Sequence, residues 1–215
     1  MTDLNRQVAY WDRVAWQKEF TIPLDREGVL SHLDPAGKVL DLGCGYGRLM
    51  TELQSMGFAD MVGVDISSEL VRRGRGLHPD LDLRRIESPT LPFADGSFRA
   101  VVMVAVLTCI PGDRAQRDMV AEIHRVLAPG GVFHLADFLL NGDERNQERY
   151  RAFADKYDAF GVFELPEGAV LRHHGREWLA DLLADFEELQ ATMKSVTTMN
   201  GHQSNSISYF GRKEG

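Results

Sequence analysis

The chain has 215 residues, 44% hydrophobic and 26% charged, with a formal net charge of −8 and a pI near 5.4. That suits one globular domain with a full core and offers no basic face to neutralise phosphates, so no nucleic-acid partner is expected. The longest apolar run, Ala100 to Leu107, is far short of the ~20 residues of a membrane span, and MTDLNRQ at the start has no apolar signal region. No membrane partner is expected. Cys44 and Cys109 make no disulfide framework and no Cys/His cluster has metal-ligand spacing, so the expected location is cytoplasmic and no metal is expected.

The periodicity predicts a first helix from Leu4 to Glu19, with Val8, Tyr10, Trp11, Val14 and Ala15 as an apolar stripe before Pro23. The stripe fits either core packing or a lid over a ligand site. A second helix, Asp25 to Leu33, leads through Pro35-Ala36-Gly37 into KVLDLGCGYGRLM, residues 38–50. There an apolar strand runs into glycines at 43, 45 and 47 and then into a helical pattern. Glycine tolerates positive φ and has no Cβ, so a ligand can lie against the backbone of such a turn, where the helix start presents free N–H groups. Asp41 adds a carboxylate at the strand end, and Cys44 reads as a small side chain that the turn requires. The dinucleotide fingerprint G-x-G-x-x-G would need its third glycine at position 48, where Arg48 stands.

A helix from Gly47 to Met56, stopped by Gly57, precedes a buried strand, Met61 to Asp65. Asp65 falls roughly 20 residues after the glycines, where a doubly wound fold places a carboxylate on ribose hydroxyls, and Ile66 is placed to pack on a base. Ser67 and Glu69 suit the next helix start. A third strand, Asp82 to Ile86, ends at Glu87-Ser88. The arginines 72, 73, 75, 84 and 85 read as a solvated face. Ser97 to Val106 has the continuous apolar pattern of a strand buried on both faces. Asp113 with Gln116 makes a capping-box-like start for a helix to Leu127, and Ala128-Pro129-Gly130-Gly131 feeds a strand from Val132 to Ala136.

The charged stretch Asn141 to Gly161, with Tyr150, Phe153 and Tyr157 at helical spacing, predicts an inserted helix, either a surface brace or a substrate cap. A helix from Arg176 to Ala184 follows. Phe186 to Met199 and Ser206 to Arg212 then predict a hairpin around a polar loop, 200–205.

Asp41, Gly43, Gly45 and Gly47, Asp65, LPFADGSF and EIHRVLAPGGVFHLAD together resemble the class I S-adenosylmethionine (SAM) dependent methyltransferases of the small-molecule type. The resemblance implies a Rossmann-like α/β fold, doubly wound, with a mostly parallel seven-stranded sheet and an antiparallel last strand. It implies one domain over 1–215, with an N-terminal helical lid at about 1–34 and an inserted cap at about 139–174. Gly43, Cys44, Gly45 and Gly47 would hold the methionine part of SAM, Asp41 its ammonium and Asp65 its ribose. Glu87 stands where the family has an aspartate for the adenine amino group, next to Ser88. Val104 would lie near the sulfonium, and Tyr10, Phe20 and Thr21 would fold over the cofactor.

Arg99 replaces a frequent aspartate, without expected effect on the chemistry. The Asn/Asp-Pro-Pro-Tyr motif of planar-nitrogen methylases is missing from 104–107. The expected reaction transfers a methyl group to a small-molecule acceptor by in-line displacement and leaves S-adenosylhomocysteine (SAH). A general base is optional; the candidates are Asp137, His202, His173 and His174, while His124 and His134 read as structural. A SAM-binding protein without transfer and an NAD-dependent oxidoreductase are the alternatives. The acceptor and the oligomeric state stay open.

Overall fold

The computed structural model describes residues 3–215, with side chains from residue 6 onward; residues 1 and 2 of the expected lid lie outside the described residues. A seven-stranded sheet has the order β3-β2-β1-β4-β5-β9-β8. Its strands are β1 (Val39–Leu42), β2 (Met61–Asp65), β3 (Leu83–Arg85), β4 (Phe98–Val104), β5 (Leu127–Phe138), β8 (Phe186–Thr197) and β9 (Gln203–Lys213). β1 to β5 pair in parallel, and β9 inserts antiparallel between β5 and β8, as expected for the last strand.

The strands alternate side chains between two apolar layers. Leu40, Leu42, Val101 and Met103 face α5 (Asp113–Val126) and α7 (Arg176–Leu182). Val39, Ala100, Val102 and Val104 face α2 (Arg26–His32) and α3 (Arg48–Ser55), with Val71 of α4 (Ser68–Leu77) in the same layer. Helices on both faces bury the parallel core and leave the carboxyl ends of β1, β2 and β4 as the opening for a ligand.

Several boundaries moved for identifiable reasons. The first helix, α1 (Asp3–Val14), stops five residues before the expected Glu19. The chain turns there, and Arg73 of α4 donates to the carbonyls of Ala15 and Lys18, both at 2.9 Å. The expected capping box does not form: Gly112 is the N-cap without a side-chain bond. Gln116 is instead fully buried, donating to the carbonyls of Leu107 and Ile110 and accepting from Trp178 Nε1 at 2.7 Å. Ala128–Gly131 belongs to β5, where a register shift between the pairs Phe98↔Leu127 and Ala100↔Val132 absorbs it. Much of the expected polar loop is strand, because the register runs on to the pair Thr197↔Gln203.

The insertion holds α6 (Glu144–Phe153) and then a hairpin that the sequence reading did not anticipate, β6 (Val162–Glu164) with β7 (Val170–Arg172). Its turn closes with Leu165 N donating to Ala169 O at 2.8 Å around Gly168, whose φ is +95°. α1 docks through Asp12, which accepts from Ser67 Oγ at 2.6 Å and Glu69 N at 3.1 Å at the start of α4. Gln7 Nε2 donates to Val170 O at 2.6 Å, so α1 also ties to the inserted hairpin.

Two glycines test this packing. A Cβ on Gly63 of β2 would lie 2.5 Å from Met50 Sδ and 2.9 Å from Cys44 Sγ, whereas one on Gly76 in α4 meets nothing within 4 Å. Urea titration is expected to show Gly63→Val losing at least about 1–3 kcal/mol, as in overpacked cores. Gly76→Ala should gain roughly 0.5–1 kcal/mol from its helix position.

Candidate functional site

The turn after β1 is held from beneath: the N–H groups of Gly43 and Cys44 both donate to Val64 O, at 2.8 and 3.0 Å. Gly43, Gly45 and Gly47 have φ of +78°, +55° and +87°, which side chains with a Cβ rarely adopt. Close approach makes a second demand. A Cβ on Gly45 would sit 2.2 Å from the Phe20 ring, and one on Gly43 2.3 Å from Val106 Cγ2. Phe20 stacks on Tyr46 at 5.0 Å between centroids and donates its N–H to the Tyr46 hydroxyl at 3.1 Å. The segment after α1 thus lies across the glycine turn. Thr21 Oγ1 fastens it on the far side by donating to Thr197 O at 2.8 Å.

Beneath this strap is a cavity of about 340 Å³, within the range of small-molecule sites. Asp65 is its anionic wall. Its two carboxylate oxygens accept from Gly45 N and Ser67 N, both at 2.8 Å, and burial nevertheless pushes its pKa up to about 6. Asp41 is 1% exposed, and neither carboxylate oxygen has a hydrogen-bond partner. Burial, then the charge of Asp65, push it up to about 7. Two buried carboxylates, one of them orphaned, create a demand for positive charge and hydroxyl donors. The ammonium, sulfonium and ribose of SAM match that demand; the diphosphate of a nicotinamide dinucleotide opposes it.

Of the residues expected around the cofactor, Tyr10, Phe20, Thr21, Gly43, Cys44, Asp65, Ile66 and Val104 line the cavity. Asp41, Gly45 and Gly47 do not line it: Asp41 is buried at the end of β1, and Gly45 and Gly47 shape the turn with positive φ. Glu87 and Ser88 are elsewhere: Glu87 is exposed and pairs with Arg85 at 3.1 Å, and Ser88 Oγ accepts from Thr90 N. β3 ends at Arg85, so Ile86 and Pro89 take the inward positions. Burial raises the thiol pKa of both Cys44 and Cys109, so neither is a ready nucleophile.

The candidate bases separate. Asp137 is buried off the cavity, accepting from Phe138 N at 2.7 Å and Thr108 N at 3.2 Å, and burial pushes it up to about 7. His174 is fully buried, with Nδ1 donating to Phe138 O at 3.0 Å and Nε2 accepting from Gln116 at 2.9 Å; burial lowers it to about 4. His134 is likewise a packed residue, stacked on Phe210 at 4.1 Å. His173 and His202 are the two that line the cavity, His173 buried on the cap side and His202 exposed at the β8–β9 turn.

The wall also contains Trp11, from the apolar stripe that fits a lid, and residues that had no expected role there. Gln7 and Trp11 come from α1, Arg145 and Arg149 from α6, and Phe163 and Leu171 from the hairpin. Ala105, the described non-glycine residue with positive φ (56°), bends the chain inward just after β4. Such strain concentrates at functional sites, and its sequence offered no sign of it.

This strand order, with the glycine turn and acidic second strand at its open end, is the class I SAM-dependent methyltransferase fold. Residues 39–131 match the methyltransferase domain family. A SAM-dependent methyltransferase from Methanosarcina mazei superposes with a TM-score of 0.84 at 26% identity, covering 90% of this chain and 99% of that one. A sterol 24-C-methyltransferase of Gibberella zeae is 29% identical over 202 residues, 86% of this chain but 51% of that protein. The chain thus spans about half the length of that curated relative. The Burkholderia thailandensis 1,6-didemethyltoxoflavin-N1-methyltransferase, solved with its substrate and SAH, shares the fold at 18% identity (TM-score 0.63, 88% of this chain and 76% of that one).

The orphaned carboxylate has a pH signature. Asp41 has an ordinary value of 3.8 and about 7 when folded, so the folded protein holds its proton more tightly. Its unfavourable contribution is absent below pH 4, grows as pH rises and is complete above 7. Asp41→Asn removes that dependence. Thermal and urea melts of the ligand-free protein should show the variant gaining on the wild type by about 2–3 kcal/mol between pH 5 and pH 8.

Proposed function

We propose that the protein transfers a methyl group from SAM to a small-molecule acceptor held in the cavity under α1 and the inserted cap. The orphaned Asp41 carboxylate behind a glycine turn, beside a cavity-facing Asp65, carries this reading. When bound, SAM supplies an electrophilic methyl group on a sulfonium with a good leaving group. Gly43 and Cys44 would lie against its methionine part, Asp41 would offset its ammonium, and Asp65 would accept from its ribose hydroxyls. Tyr10 and Phe20 close the site from above.

The protein's share of the chemistry is placement. Val104, Ala105 and Val106 form an apolar floor beyond β4, and Met119, Phe138 and Phe163 continue it toward the cap. Such walls exclude water and hold the acceptor atom near and in line, worth on the order of 7–11 kcal/mol in favourable intramolecular cases. Asp137 and His174 do not reach this space, which leaves His202 as the accessible group for an acceptor that must lose a proton. His173 Nδ1 is already engaged, 2.7 Å from the Tyr150 hydroxyl. An acceptor that reacts without base assistance suits this arrangement best.

Calorimetric titration with SAM, SAH and NADH tests the reading. SAM and SAH should bind and NADH should not; the reverse pattern would sink the assignment. Asp65→Ala should weaken SAH about 10- to 100-fold, the value of one or two charge-assisted hydrogen bonds. Gly45→Val should abolish binding by displacing Phe20, while circular dichroism shows both variants folded.

A further inference from the structure

The cap wall carries positive charge that the fold does not neutralise. Arg149 is half-buried, its guanidinium carbon 3.5 Å from the centre of the Phe163 ring, and its buried Nε has no hydrogen-bond partner. No carboxylate forms an ion pair with it among the described residues. Asp143, earlier on the same helix, is the N-cap of α6 and is engaged with Asn146. Arg145, one turn before Arg149, also lines the cavity without an ion pair. Supply is not the reason, since the chain has 32 acidic side chains against 24 basic ones. The other charged groups of the wall are compensated: Arg48 by Glu52 at 2.5 Å, and Asp65 by backbone amides. Partly burying an unpaired guanidinium is destabilising unless something else supplies the counter-charge.

His173 adds a donor at the same place. Asn141 Nδ2, a donor only, lies 3.1 Å from His173 Nδ1, and the Tyr150 hydroxyl lies 2.7 Å from the same nitrogen, so Nδ1 is the accepting nitrogen. Burial and the neighbouring Arg149 keep the imidazole neutral, and the remaining proton therefore sits on Nε2. An Arg149 terminal nitrogen, itself a donor, lies 3.4 Å from that nitrogen. Two donors converge with no acceptor between them, against the apolar surfaces of Phe138, Phe163 and Leu171.

We infer that the methyl acceptor is a carboxylate-bearing molecule with an apolar body, whose carboxylate is bound by Arg149 and His173 Nε2–H, with Arg145 at the mouth. This rests on the methyltransferase reading and adds the substrate class to it. Planar, charge-assisted pairing is what a guanidinium does best with a carboxylate, and a dry wall strengthens it.

The test uses the full chain saturated with SAH and two probes of one shape, benzoate and benzamide, followed by calorimetry or ligand-observed NMR. Benzoate should bind the wild type at least about tenfold more tightly than benzamide. Arg149→Met should erase that preference, keep SAH affinity within about twofold, and melt no lower than the wild type because it removes an unpaired cation. Equal binding of the two probes by the wild type, which needs no variant, overturns the inference, as does a preference that survives in Arg149→Met. Failure of the wild type to bind SAH overturns the methyltransferase reading and this inference together. SAH binding without a benzoate preference overturns this inference alone.

Discussion

The site depends on the two hydrogen bonds that Asp65 accepts, from Gly45 N on one side and Ser67 N on the other. They join the glycine turn after β1 to the start of α4 through a single buried carboxylate. Ser67 Oγ in turn caps α4 by accepting from Leu70 N, while its proton goes to Asp12 of α1. The glycine turn reaches the strap through Phe20 and Tyr46, and Arg73 of α4 lies over Tyr46 with its guanidinium carbon 4.0 Å from the ring centre. Sheet, turn, helix and strap are therefore linked through one buried carboxylate that also lines the cavity.

Polarity is distributed along the cavity in a way that suits transfer between two ligands. Asp65 lies at the end formed by β1 and β2, where Arg48 is paired with Glu52, while Arg145 and Arg149, which form no ion pair among the described residues, lie at the end formed by α6. Burial of polar atoms without a hydrogen-bond partner makes both Asp41 and Arg149 locally unfavourable in the ligand-free protein.

The glycine turn and the strands around it were legible because their constraints are local. Positive φ at three alternate positions forces glycine, a parallel strand forces an apolar run, and an acid at the end of the second strand follows from where the chain emerges. Glu87 shows the limit. The resemblance places it at the adenine amino group, whereas in the ligand-free structure its side chain is exposed and pairs with Arg85. The histidine and aspartate candidates show it again: composition cannot tell that Asp137 serves the turn beyond β4, or that Gln116 and Phe138 enclose His174.

The sequence by itself determined the buried strands, the glycine turn, Asp65 at the end of the second strand and the closing hairpin, because each rests on periodicity or backbone conformation within a few residues, and its family resemblance supplied the sheet order's antiparallel last strand. Only the tertiary structure decided the acceptor end. Gln7 meets Val170 and Asn141 meets His173 across 163 and 32 residues, and Arg149 counts as unpaired only once every neighbour is in place. An arginine in a charged helix looks solvated along the chain; its burial is a property of what the rest of the chain packs against it.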